Sequence, residues 1–387
     1  MGCYIPSQRL SQTQASIVEE ITRGIEQDHH FICGFAGSGK SVVLTHVLER
    51  LVADHQGSRF VFLSFTHALV GMAKIALQGS GLDEGTAQRI EFSTVHRFLH
   101  GKGEADFVFV DEVQDLETDW LDRIKSKSRH VVLAGDYEQS IYDEGATQAE
   151  MLERFKPKVH ELREVFRLTP SLKQVAISIN PSASNVVEAE PVNSVDADIR
   201  DVEFDSLEEE VEWVLKEAQT RARPGSPSVL LFHHHHDLRR FYETVFYVKE
   251  VALPNEHPRD LTERYINMND AMKAAGIPLS YYGNKVGTLI HGEKGPHVYL
   301  MTIHSAKGLD FKNVFLPILK RPRDNALSPS EPFKRPVSFV GVTRSFENLF
   351  LSHSQGAMET PFDNLPEDVV ARWKPRRPTK VDDELFL

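Results

Sequence analysis

The sequence predicts an α/β fold built on parallel sheets and divided into more than one domain. Three observations point there. Compact apolar runs alternate with helical stretches, most runs end in turn-forming or charged residues, and 387 residues are enough for two or three cores. Expected strands are 30–33, 60–64, 107–110, 131–134, 229–232, 299–303 and 314–316, each short and rich in Val, Ile, Leu or Phe as buried parallel strands are. Helices are expected at 12–26, at 41–51, around 208–221 and at 261–275. The domain boundary is placed near residue 158, giving an N-terminal domain over 1–158 and a C-terminal domain over 159–360. Residues 361–387 read as a partly disordered tail.

Composition excludes several classes. Apolar residues make up 41% and charged residues 26%, as in soluble globular chains. No apolar stretch approaches the ~18 residues of a membrane span, and the N-terminus lacks a secretory pattern, so a cytoplasmic location is expected. Two cysteines cannot build a disulfide framework or a four-cysteine zinc site, and Cys33 reads as a buried strand residue. The net charge of −12 is concentrated: residues 188–212 carry eleven acids against Arg200 alone, and account for −10 of it. This run reads as a solvated loop and helix face, with a repulsive surface or a dock for a basic protein as alternatives. The remaining chain is near neutral and can hold a basic groove for nucleic acid. His233–His236 follows a strand; four consecutive histidines cannot all converge on one metal ion, so a structural or phosphate-facing role is expected.

Two motifs carry phosphate chemistry. Gly34-Phe35-Ala36-Gly37-Ser38-Gly39-Lys40-Ser41 matches G-x-x-x-x-G-K-[ST] between an apolar strand and a helix. Its glycines let backbone N–H groups turn around a triphosphate, Lys40 reaches the β- and γ-phosphates, and Ser41 holds Mg²⁺. Some seventy residues on, Phe107–Val110 ends in Asp111-Glu112. An acid beside the metal and another beside the attacking water make Asp111 the Mg²⁺ partner and Glu112 the general base.

Eight motifs besides the phosphate loop, the acidic pair's among them, run in order over residues 10 to about 351 and resemble those of superfamily 1 helicases of the UvrD/Rep/PcrA kind. Leu10-Ser11-Gln12-Thr13-Gln14 is similar to the adenine-reading Q motif, with Gln14 in the key position. Ser64-Phe65-Thr66-His67 and Ser93-Thr94-Val95-His96-Arg97-Phe98 resemble two strand-contacting blocks. Asp111-Glu112-Val113-Gln114-Asp115 matches D-E-x-Q-D, and Gly135-Asp136-Tyr137-Glu138-Gln139-Ser140-Ile141-Tyr142 matches G-D-x-x-Q-S-I-Y, whose glutamine senses the γ-phosphate. Val165-Phe166-Arg167 stands where the family has N-Y-R. The run from Met301 to Phe311, which includes Thr302, His304, Gly308 and Asp310, is close to M-T-I-H-x-A-K-G-L-E-F. Val340-Gly341-Val342-Thr343-Arg344 is similar to V-A-L-T-R.

The resemblance implies two RecA-like P-loop domains with an ATP cleft between them and a Mg²⁺-ATP-dependent motor that acts on single-stranded DNA in the 3′→5′ direction. It implies catalytic roles for Lys40, Glu112, Gln139, Arg167 and Arg344, the two arginines reaching the γ-phosphate from the second domain. Nucleotide contacts are implied for Gln14, Gly34, Gly37, Ser38, Gly39, Lys40, Ser41, Phe166, Gly308 and Asp310. Strand contacts are implied for Phe65, Thr66, His67, Thr94, His96, Thr302 and His304. The chain departs from the family in lacking both large accessory insertions: only residues 99–106 separate the second strand block from the acidic strand, and 22 residues lie between Pro278 and Met301. It also reads Tyr142-Asp143-Glu144-Gly145-Ala146 where the family has R-W-R-G-A, so a base-stacking tryptophan is missing there. A nucleotide-gated binding module without strand separation is therefore the alternative reading. The ending Asp382-Asp383-Glu384-Leu385-Phe386-Leu387 resembles partner-docking tails, with Glu384–Leu387 as the candidate dock.

Overall fold

The computed structural model describes residues 5–374, apart from 142–143, 194–195, 255–259, 284–285, 290–291, 293, 321–332 and 355. The first sheet comprises β1 (His30–Gly34), β2 (Phe60–Ser64), β3 (Ile90–Thr94), β4 (Ala105–Val110), β5 (Ser128–Gly135) and β6 (Lys158–Leu162), in the order β3-β2-β4-β5-β1-β6. All its pairings are parallel. Around it lie α1 (Gln12–Gly24), α2 (Lys40–Asp54), α3 (His67–Gln78), α4 (Glu84–Ala87), α5 (Val95–His100), α6 (Thr118–Ser126), α7 (Gln148–Phe155), α8 (Pro170–Ile179) and α9 (Ser184–Glu188). Apolar residues bury both faces of this sheet: Ile32, Phe62, Phe109 and Val132 on one side, Phe31, Val61, Val108 and Val131 on the other. Burial on both faces explains why these strands read as continuous apolar runs rather than as an alternation.

A two-stranded ribbon joins β7 (Glu164–Val165) and β8 (Glu190–Pro191). The second sheet comprises β9 (Asp198–Phe204), β10 (Ser228–Phe232), β11 (Leu279–Tyr281), β12 (Val298–Thr302), β13 (Phe311–Leu316), β14 (Ser345–Ser354) and β15 (Ala371–Trp373), in the order β11-β12-β10-β13-β14-β9-β15. Helices α10 (Leu207–Arg221), α11 (His235–Val248) and α12 (Leu261–Ala274) bury Val214, Phe241, Tyr242 and Met268 in its core. Among the described residues no helix is long and apolar enough to cross a membrane.

The chain divides into two compact units. The first contains Met1–Ala197 together with Ala306–Phe311 and Lys334–Phe346; the second contains Asp198–Ser305, Lys312–Phe333 and Glu347–Leu387. The boundary expected near 158 instead falls at the start of β6, which pairs with β1 inside the first sheet. The polar sequence Lys158–Leu162 hides this strand because it lies at the sheet edge, where alternate residues face solvent.

The acidic run departs from expectation in part: residues 198–204 form β9, which lies between β14 and β15, whereas Glu208 and Glu212 stand exposed on the first half of α10 as the expected helix face. Several of its acids meet basic side chains, some on β9 itself and others on distant elements of the second unit. Asp198 pairs with Arg200 and Arg221, Asp201 with His353, and Lys374 reaches both Glu203 and Asp205. Glu210 is fully buried and accepts hydrogen bonds from the Ile318 N–H at 2.8 Å and the Ser352 hydroxyl at 2.7 Å. Part of the expected tail is thus a strand carrying neutralising charge. Residues 375–387, including the proposed dock at Glu384–Leu387, lie outside the described residues.

Candidate nucleotide site and strand-contact residues

The loop after β1 sets the geometry of the first site. Gly37 and Gly39 have φ of +82° and +89°, and a Cβ on either would collide, at Gly37 with the Arg167 side chain and at Gly39 with the Gln14 amide. Only glycine therefore suits both positions. α2 starts at Lys40 with no side-chain cap, so its first backbone N–H groups face the loop. Lys40 Nζ is turned onto the loop itself, donating to Gly34 O at 2.7 Å and Phe35 O at 3.2 Å. The Ser38 hydroxyl is buried and, among the described residues, has no hydrogen-bond partner. A cradle of glycines, an inward lysine, an orphaned hydroxyl and a helix N-terminus fit a polyphosphate.

Gln14 links the loop to α1. Ser11 and Gln14 form a reciprocal capping box, and the Gln14 amide donates to Ser38 O at 3.0 Å. The sequence motif is thus a helix cap and a brace for the phosphate loop at once.

Ser41 Oγ donates to Asp111 Oδ2 at 2.8 Å. A hydroxyl and a carboxylate this close, both hard oxygen donors, fit Mg²⁺ between them. Burial pushes the Asp111 carboxyl up to about 7, and the neighbouring Glu112 charge pushes the same way. Glu112 occupies the left-handed region (φ 59°, ψ 47°), a strained conformation for glutamate, and the Gln114 amide donates to its carboxylate at 2.5 Å. Burial opposes its ionisation, but Lys307, Lys40, Gln114 and Arg344 together outweigh burial and hold Glu112 below its usual range. Two adjacent carboxyls are thereby driven apart in acidity.

Arg344 is 2% exposed. It donates to Gln139 Oε1 at 2.7 Å, and to the Val340 and Leu309 carbonyls at 3.1 Å each. Burial and the nearby Arg167 lower its pKa to about 10, so it stays charged at neutral pH. Arg167 lies 3.6 Å from Asp310, and the Phe166 N–H donates to Gly37 O at 3.0 Å. Both arginines, expected from a second lobe, lie in the same compact unit as Lys40: Arg167 because that unit runs on to Ala197, and Arg344 because segment Lys334–Phe346 packs there.

A cleft of about 580 Å³ gathers Gln14, Gly37, Gly39, Lys40, Ser41, Asp111, Glu112, Gln139, Phe166, Arg167, Gly308, Asp310 and Arg344. Gly34 and Ser38 belong to the loop behind it without lining it. Sequence reasoning gave no role to three features of this region. Lys307 forms a buried ion pair with Asp115, 192 residues away. Gln114 orients Glu112. Leu69, Met72, Ala73 and Ala76 of α3 form an apolar wall. Lys307 and Gln114 sit inside motifs already noticed; the α3 wall has no sequence signal beyond helical periodicity.

The strand-contact residues lie in both units. Thr66 and Thr94 cap α3 and α5, each hydroxyl accepting from a backbone N–H at 3.3 Å and 3.4 Å, which leaves its own proton free to donate. His67 opens α3, Phe65 lies directly after β2, and His96 is exposed on α5. In the second unit Thr302 is buried and pairs with Ser305 Oγ at 3.0 Å, and His304 follows on the short helix Ile303–Ala306.

Within the histidine run, the rings of His234 and His236 stack at 5.3 Å. His233 packs on Phe333 and Phe362, His235 meets Tyr265, and His236 faces Asp237. Among the described residues no group of three or more His, Cys, Asp or Glu could hold a metal ion. Burial raises the Cys33 thiol to about 11, which makes it a poor nucleophile.

A P-loop, an acidic strand end and a parallel sheet define a P-loop nucleotide-binding protein. Comparison with known proteins refines that class. Residues 9–189 match the AAA domain family, and residues 297–352 match the UvrD-like helicase C-terminal domain family. The chain is 29% identical over 100 residues to probable DNA helicase II homologues of Rickettsia conorii and Rickettsia felis. That match covers 24% of this chain and 14% of each relative. Among solved structures, the chain is similar to the Arterivirus nonstructural protein 10 helicase in complex with DNA, at 18% identity and TM-score 0.44 over 90% of this chain and 64% of that one. It is also similar to a Pif1 helicase studied for DNA unwinding at forked duplexes, at 15% identity and TM-score 0.46 over 93% and 94%. The later part of the chain, residues 297–352, thus carries the pattern of a UvrD-like helicase C-terminal domain, and the earlier part, residues 9–189, that of an AAA domain.

Proposed function

We propose that the chain is a Mg²⁺-ATP-dependent motor ATPase, stimulated by nucleic acid and moving 3′→5′ along single-stranded DNA, with a cytoplasmic location. One observation carries this reading: the loop lysine, the two acids, the Gln139–Arg344 pair and Arg167 line one cleft within one compact unit. Lys40, the loop amides and Ser38 bind the β- and γ-phosphates, while Ser41 and Asp111 hold Mg²⁺. The metal supplies charge neutralisation on the phosphate oxygens. Glu112, kept ionised and aimed by Gln114, accepts a proton from the attacking water. Gln139 and Arg344 act as one hydrogen-bonded unit at the γ-phosphate, and Arg167 contributes positive charge beside the loop. Gln14, Phe166, Gly308 and Asp310 complete the nucleotide contacts. Phe65, Thr66, His67, Thr94 and His96 from one unit and Thr302 and His304 from the other contact the strand.

The missing accessory insertions favour a second reading, an ATP-gated nucleic-acid-binding module that does not separate strands. ATP hydrolysis by the isolated chain, measured with and without single-stranded DNA and RNA beside unwinding of a 3′-tailed duplex, separates the two. Stimulated hydrolysis with strand displacement supports the motor; stimulated hydrolysis without displacement supports the module. Absence of hydrolysis under all conditions overturns both.

A further inference from the structure

Three adjacent strands of the first sheet, β3, β2 and β4, each deliver one aromatic ring from beyond the carboxyl end. Phe65 follows β2, His96 lies in α5 after β3, and Trp120 lies in the first turn of α6 after β4. The Trp120 ring sits 6.2 Å from that of Phe65 with 29° between their planes, and 6.4 Å from that of His96 at 60°. His96 in turn lies 4.2 Å from His100. Packing alone would account for such a cluster in a core. Here His96 and His100 are exposed, and Phe65 and Trp120 are only half-buried.

The neighbouring charge is of one sign along α5 and the turn after it. Residues 95–102 carry Arg97 and Lys102, both exposed, and no carboxylate. Arg123 ties α6 to this segment by donating to Leu99 O at 2.9 Å, with Asp119 3.7 Å away. Phe65 and Trp120 pack one side on the core yet stay partly exposed, and such rings beside cations, at the carboxyl end of a parallel sheet, suit unpaired bases whose phosphates run along the basic edge. A duplex would keep its base faces stacked inside and could not use them.

We propose that Trp120, backed by Phe65 and His96, is a base-stacking residue for single-stranded nucleic acid, supplying an indole that the segment 142–146 lacks. This rests on the nucleic-acid motor reading and adds to it a residue that none of the motifs contains.

The test is the affinity of the full chain for a labelled oligothymidylate, followed by fluorescence anisotropy at several salt concentrations. Trp120→Ala is expected to weaken binding about tenfold or more, and Trp120→Phe to recover most of the loss. The slope of log affinity against log salt should not change, because stacking releases no counterions. In a Trp213→Phe/Trp373→Phe protein Trp120 is the sole tryptophan, and the oligonucleotide should quench its emission. Affinity of Trp120→Ala equal to that of the unsubstituted chain overturns the proposal, as does a changed salt slope or an unquenched Trp120. If the unsubstituted chain itself fails to bind, the motor reading falls with it; if only the substitution is silent, the stacking role alone falls.

Discussion

Glu112 is the side chain on which the proposed hydrolysis most depends. Its left-handed backbone and the Gln114 amide fix the carboxylate and the surrounding cations keep it ionised, as the proposed proton transfer requires. Glu112→Gln or Lys40→Ala is expected to abolish ATP turnover while leaving the circular dichroism spectrum unchanged; full activity in either would remove the site assignment. Arg344→Ala is expected to bind a fluorescent ATP analogue yet turn over about 10³-fold more slowly, as loss of a charge-stabilising arginine does in phosphoryl transfer. The glycines, Lys40, Ser41 and the acid pair were legible because phosphate chemistry fixes their spacing along the chain. The roles of Lys307 and Gln114 were not, since each depends on a partner that only folding brings near.

Between elements, the edge pairing of β1 and β6 holds a buried histidine pair. His30 Nδ1 and His160 Nε2 are 2.9 Å apart, with Glu20 3.7 Å from the other His160 nitrogen and Lys158 beside them. Burial, reinforced by His30, lowers the His160 pKa to about 4, and burial lowers that of His30 as well. Between the ordinary histidine value and that figure the unfolded chain takes up a proton that the folded chain refuses. The stability so gained is present above about pH 6.5 and is lost as pH falls toward 4, at up to about 1.4 kcal/mol per pH unit per group. Urea melts across this window should show the decline, and His160→Gln should flatten it; an identical profile would assign the decline to other groups. Strands with continuous apolar sequence, such as Phe60–Ser64 and Val298–Thr302, were legible in outline. Asp198–Phe204 was not, because its acids look solvated until Arg221, His353 and Lys374 arrive from distant elements.

Across the molecule, distant stretches of chain are sewn into the nucleotide-binding unit. The buried pair Lys307–Asp115 is one stitch, Arg344–Gln139 another, and the edge-to-face rings of Phe35 and Phe339 a third. Lys307→Met strands a buried carboxylate and is expected to cost about 3–5 kcal/mol in urea unfolding, with much of it restored by adding Asp115→Leu. An additive double variant would show the two groups to be uncoupled. Sequence order alone assigns both late segments to a second domain, and only their contacts reveal where they belong. The interleaved path also bears on protein synthesis. A nascent chain that has reached residue 197 holds the whole first sheet but not Lys307, Asp310 or Arg344. The ribosome must therefore deliver nearly 150 further residues before that sheet can close its reaction centre, so a prematurely terminated product would carry a phosphate loop without the arginine and lysine that complete it.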